Sequence, residues 1–155
     1  MAKTTNTTTL HHLVGKRFVG IQPDGMRVHI DGEASAKTGM SPMELVLNAV
    51  GGCAAFDVAV MIEKRRLTVA SYRVEMTGER SEEPPRRFTK IHAVHVLDVP
   101  GLDRKNAERF VELATEKYCS VAASLNAEVT FDVVLEHEAE ADASDEASAD
   151  RAGAA

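Results

Sequence analysis

The segment from Ser41 to Arg66, SPMELVLNAVGGCAAFDVAVMIEKRR, most constrains what this chain can become. Ser41 is a good N-cap, Pro42 suits the first helical position, and Glu44 completes an S-x-x-E capping box. Up to Ile62 the only charged residues are Glu44 and Asp57, so the helix is apolar almost all round. Such a helix must be covered on more than one side, by other helices or by a second subunit. Gly51-Gly52 in its middle costs about 1 kcal/mol per Gly relative to Ala, and the expected compensation is close backbone approach by another segment just before Cys53.

The rest of the chain supplies strands in adjacent pairs. Phe18, Val19 and Ile21 precede a turn at Pro23-Asp24-Gly25, and Met26, Val28 and Ile30 then alternate with polar residues, which predicts a β-hairpin. Residues 34–40 are small and read as a flexible loop. Alternation over 67–78 and 91–99 predicts two more strands. Asp103 caps a predicted helix running to Lys117, a short helical turn follows Cys119, and residues 127–135 form a last strand. The predicted order is ββ-α-ββ-α-β, an α+β protein with one mostly antiparallel sheet packed on the long helix.

Composition narrows the function classes. A chain of 155 residues suffices for one domain, here 13–135, after a loose leader at 1–12. From Glu136 onward there are seven acidic residues and one basic, so this segment accounts for the whole net charge of −6 and reads as a disordered acidic tail, 136–155. The body is then formally neutral, without a basic face or nucleic-acid motif, which argues against a nucleic-acid partner. The polar start, MAKTTNTTTLHH, reads as no signal peptide, and no apolar run is judged long enough to span a bilayer, so no membrane association and a cytoplasmic, reducing compartment are expected.

Two cysteines, Cys53 and Cys119, carry the chemistry. They stand 66 residues apart, so only tertiary folding can join them. Together they would form a reversible redox pair; apart they would be two small core hydrophobes. Asp57, one turn after Cys53, disfavours a thiolate there, whereas Cys119 opens a helical turn whose free N–H groups favour one. His92 and His95, three apart on a strand, face opposite sides and make a poor metal pair, and no zinc or phosphate motif is present.

The segment TGMSPMELVLNAVGGCAAFDVAVMIEKRRL resembles the central helix of the OsmC/Ohr family, the osmotically inducible and organic-hydroperoxide-resistance proteins. ERFVELATEKYCSVAASL resembles that family's second-cysteine region, and Pro85-Arg86-Arg87-Phe88-Thr89-Lys90-Ile91 matches its P-x-x-F-x-x-I portion. The likeness runs from about Phe18 to Val134. It implies an OsmC-like fold, an intertwined homodimer with sites at the subunit interface, and thiol-dependent reduction of a small hydroperoxide. By position Cys53 would attack the peroxide and Cys119 would resolve the sulfenic acid as a disulfide. A dihydrolipoyl-type dithiol, from a lipoylated protein or a small thiol, would restore both thiols; no bound cofactor is implied.

Two positions depart from the family pattern. The family's catalytic Glu falls at Met43, leaving Glu44 as the neighbouring acid, either a helix cap or the catalytic carboxylate. On a straight helix Glu44 and Cys53 lie about 180° apart, so a catalytic role would need a bend or a partner subunit. The thiolate-stabilising Arg comes from the first hairpin, where Arg17 is the best match and Arg27 the second, neither in the expected G-G-R context. The likeness is therefore to the OsmC-like branch. The alternative it leaves is a dimeric fold-mate with little peroxidase activity that binds a small apolar or thiol-reactive ligand, a reading that Met43 favours.

Overall fold

The computed structural model describes residues 5–136, in two compact units that divide between Val46 and Leu47. In the N-terminal unit, β1 (Thr9–Val14), β2 (Arg17–Ile21) and β3 (Arg27–Asp31) form an antiparallel sheet in sequence order. The predicted hairpin is β2–β3, closed by Gln22 N–H donating to the Met26 carbonyl and by Gly25 at φ +90°. The leader is shorter than the sequence implied, because β1 starts at Thr9. All six β1 residues are exposed, so this strand is built by its ladder to β2 and has no buried face to imprint a period of two. Residues 1–4 of the expected leader lie outside the described residues.

The loop after β3 is tied down. Asp31 is buried; its carboxylate accepts from Glu33 N (2.9 Å), Thr38 N (2.8 Å) and Arg17 Nε (3.0 Å). The Thr38 and Glu33 backbone N–H groups, with Arg17 beside them, hold this carboxyl well below the usual carboxylate range. Arg17 Nη2 also donates to the carbonyl of Ala36, a residue in the left-handed region at φ +51°.

The long helix, α1 (Pro42–Lys64), begins at the predicted cap: Ser41 N donates to Glu44 Oε2 at 2.6 Å, and Glu44 N approaches Ser41 Oγ at 3.4 Å. By length and composition this helix could cross a membrane, which corrects the expectation that no segment is long enough. Val50, Ala54, Val58 and Ile62, spaced four apart, are instead a buried stripe. Ala54, Val58 and Ile62 share one core cluster with Leu97, Val99, Phe110, Val111 and Leu135.

The second unit also holds β4 (Ser71–Arg80), β5 (Phe88–Asp98), α2 (Arg104–Glu112), a π-helical stretch (Leu113–Tyr118), α3 (Ser120–Ala123) and β6 (Glu128–Leu135). The sheet order is β4-β5-β6, with β4 antiparallel and β6 parallel to β5. The single mostly antiparallel sheet is thus corrected to two three-stranded sheets, the second mixed. β6 is parallel because the helical crossover after β5 returns the chain to the end where β5 began. The predicted helix to Lys117 is α2 only as far as Glu112, after which the turns widen. Glu136, counted with the acidic tail, is bonded to Arg73 Nη1 (2.6 Å) and Ser71 Oγ (3.1 Å); residues 137–155 lie outside the described residues.

Both interior glycines that matter here make room for side chains. A Cβ at Gly51 would meet Met76 Sδ at 2.9 Å, so the backbone approach expected beside Cys53 is corrected to packing by a β4 side chain; at Gly52 the space is open. A Cβ at Gly78 would meet Phe88 Cδ1 at 2.8 Å and Leu47 Cδ2 at 2.9 Å. Gly78→Ala is expected to lower stability by about 1 to 3 kcal/mol through overpacking, read as a lower denaturation midpoint at unchanged m-value.

Candidate functional site

Folding brings Cys53 and Cys119 together. Cys53 projects from the middle of α1 and is half-buried; Cys119 is the N-cap of α3 and 4% exposed, and both are free thiols. Cys119 Sγ accepts from Ala122 N at 3.3 Å and donates to the Val50 carbonyl, one turn before Cys53, at 3.9 Å. The Cys53 side chain lies near enough to act on this thiol electrostatically. Folding thus sets the two thiols beside one another, against the reading of two separated core hydrophobes.

The electrostatics differ from the expectation for Cys119. Burial pushes its thiol pKa up; the Ala122 N–H opposes this, and the neighbouring Cys53 adds to the rise. The helix start was expected to favour a thiolate, but α3 has only four residues, and desolvation outweighs the Ala122 and Val121 N–H groups that act on the sulfur. The reduced site holds Cys119 as a neutral thiol.

The remaining candidates belong to the N-terminal unit. Arg17 is engaged with Asp31 and Ala36, and Arg27 is exposed at the start of β3. Glu44 closes the capping box, with Lys37 Nζ 4.0 Å from its other oxygen; the Ser41 backbone N–H, then its hydroxyl, and Lys37 lower its pKa. This is the geometry of a cap. The two histidines lie on opposite faces: His95 is fully buried against Tyr72, whereas His92 is half-buried beside Thr130 and Asp132.

One feature of the site escaped the sequence. A cleft of about 350 Å³ runs beside Cys119, bounded by the π-helical stretch, α3 and the start of β6. Its lining is mostly small or ordinary residues, and the widening that shapes it has no sequence signature that periodicity detects.

What this frame holds is a dithiol, in an α+β protein whose long helix presents one sulfur to another delivered by the crossover between β5 and β6. The OsmC-like protein family model matches residues 32–134, and the chain belongs to that family. It is similar to the protein YhfA of Escherichia coli strain K12, 44% identical over 119 residues that cover 76% of this chain and 87% of YhfA. A crystal structure of a hypothetical protein from Aquifex aeolicus VF5 shares 27% identity with a TM-score of 0.71, covering 86% of this chain and 98% of that one. An organic hydroperoxide resistance protein from Legionella pneumophila has a TM-score of 0.63 at 16% identity, over 87% of this chain and all of that one, a likeness of fold.

Proposed function

We propose that this protein is a homodimeric thiol peroxidase that reduces organic hydroperoxides or hydrogen peroxide in stress defence. The observation that carries this is that Cys119 Sγ reaches the Val50 carbonyl, one turn before Cys53 on α1, with the Cys53 side chain near enough to act on the thiol. In the proposed cycle the Cys53 thiolate attacks a peroxide oxygen. The S–O bond forms as the O–O bond breaks, and the departing oxygen takes a proton and leaves as alcohol or water. The sulfur of Cys119 then attacks the Cys53 sulfenic acid, forming the disulfide and releasing water. A dihydrolipoyl-type dithiol, carried on a protein or free, reduces the disulfide by exchange. By the family resemblance, Arg17, with Arg27 as second choice, is proposed to stabilise the thiolate, and Glu44 to serve as the acid.

Exposed apolar residues support the dimer. On α1, Phe56 is 75% exposed, with Val60 a turn further on, and β1 leaves Leu10, Leu13 and Val14 to solvent. A second copy covering these residues answers the demand of an apolar helix for cover on several sides.

A second reading, a dimeric binder of a small apolar or thiol-reactive ligand, is favoured by the engagement of Arg17 with Asp31 and of Glu44 with the helix cap. Thiol titration separates the two. Cumene hydroperoxide added to reduced protein is expected to remove both of the chain's two thiols; unchanged thiols would sink the peroxidase and leave the binder.

A further inference from the structure

The outer face of α2 takes no part in the core or in the thiol site. We propose that it is a contact surface for a second copy of the chain, docked antiparallel through a charge pattern that complements itself. This surface shares no residue with the α1 and β1 patches assigned to the homodimer, and no step of the thiol cycle depends on it.

Ala107, Phe110 and Val111 turn one side of α2 into the core. Lys105, Glu108 and Arg109 are exposed on the other side, with Glu112 half-buried beside them. Together with Glu116 from the π-helical stretch they line a cleft of about 680 Å³ that also reaches β6. Phe131 and Val133, two apart on β6 and half-buried, give this cleft an apolar part. The charges along the helix are ordered: Lys105 and Arg109 come first, Glu112 and Glu116 last.

A two-fold contact sets one residue against a second, and the second against the first. Laid antiparallel about a point between Phe110 and Val111, two copies of α2 place Lys105 opposite Glu116 and Arg109 opposite Glu112, each pair twice. Arg109 already reaches Glu112 of its own helix at 2.5 Å, so docking extends an existing pair into a network. The acids that the axis leaves over have partners within the chain. Glu108 Oε1 is 3.6 Å from Arg104 Nη1, and Asp132 Oδ2 is 3.3 Å from His92 Nε2. Charge also decides the occupant. A purely acidic or purely basic segment would meet its own sign along half of the wall. Residues 137–155 carry acids and a single arginine, Arg151, so they would face Glu112 and Glu116 unfavourably. A second α2 supplies both signs in the required order, and a copy seated there takes Phe131 and Val133 further out of water.

The test is analytical sedimentation of the full chain under reducing conditions, so that intermolecular disulfides play no part. The mass at about 0.02 M salt is expected to be twice that at about 0.5 M, because the Debye length falls from about 20 Å to about 4 Å. A mass unmoved by salt overturns the proposal. Lys105→Glu with Arg109→Glu is expected to weaken the association about a hundredfold, as is Glu112→Lys with Glu116→Lys, because like charges then face one another. An equimolar mixture of these two variants is expected to regain the larger mass, since every facing pair is again opposite in sign. A mixture that stays at the smaller mass overturns the proposal. Carbodiimide treatment of isotope-labelled chain mixed with unlabelled chain is expected to join Lys105 of one copy to Glu116 of another. A link from Lys105 to an acid within residues 137–155 of its own chain gives the cleft to that segment and overturns the proposal. A smaller species with the mass of one chain would sink the homodimer of the thiol cycle and leave this contact standing.

Discussion

Replacing Cys53 by Ser is expected to abolish peroxide turnover, by about a thousandfold or more, because a serine hydroxyl at neutral pH has neither the anion fraction nor the nucleophilicity of a thiol. Cys119→Ser is expected to behave differently. The first oxidation proceeds, and Cys53 then stops at the sulfenic acid for want of a resolving thiol. The measurement is consumption of cumene hydroperoxide with dihydrolipoamide as reductant, paired with mass spectrometry after a sulfenic-acid trap such as dimedone. The trap should label Cys53 in Cys119→Ser and nothing in Cys53→Ser. Both variants should fold. Cys53 is only half-buried, and Ser is a preferred N-cap whose oxygen can accept from Ala122 N as Cys119 Sγ does. Equal loss of peroxide turnover in both variants with no trapped sulfenic acid would count against Cys53 as the attacking thiol.

Acidification from pH 6.5 to pH 4 is expected to remove roughly 2 to 3 kcal/mol of stability through one buried residue, His95. Its ring is fully buried on β5; the Tyr72 hydroxyl is 2.7 Å from Nδ1, and Nε2 has no partner among the described residues. Burial pushes the imidazole pKa down from 6.5 to about 4 and pushes the Tyr72 hydroxyl up. In this window the unfolded chain binds a proton that the folded chain refuses. Stability is therefore complete above the unfolded value, falls as pH drops through 6.5, and levels off below the folded value. Asp31 acts in a different range: its folded pKa is depressed, so its contribution is present above its unfolded value near 3.8 and lost only below that. Denaturant unfolding at pH 7 and pH 4.5 measures the His95 effect. In His95→Gln, whose amide oxygen can accept from Tyr72, the difference between the two pH values should largely vanish. An undiminished difference would place the proton uptake elsewhere.

Legibility in the sequence followed the reach of the forces involved. The β2–β3 hairpin could be read because Met26, Val28 and Ile30 alternate ahead of a Gly-containing turn, and the start of α1 because Ser41 and Glu44 cap it within a single turn. β1 could not be read, since none of its residues is buried. Neither could the parallel pairing of β6, which depends on where the crossover returns the chain, nor the π-helical widening before Cys119. Among the site residues, Glu44 was legible as a cap. Arg17 was legible only as a candidate thiolate partner, and its engagement with Asp31 emerged when two strands paired in register.

The amino-acid order by itself therefore determined the local elements and the family, because caps, turns and hydrophobic periods act over a few residues and leave their record there. Tertiary structure alone decided that two thiols 66 residues apart come to lie beside one another and that burial raises the pKa of the second. It also decided that a cleft opens beside Cys119. Contact and desolvation depend on which distant segments pack around an atom, and no local pattern encodes that.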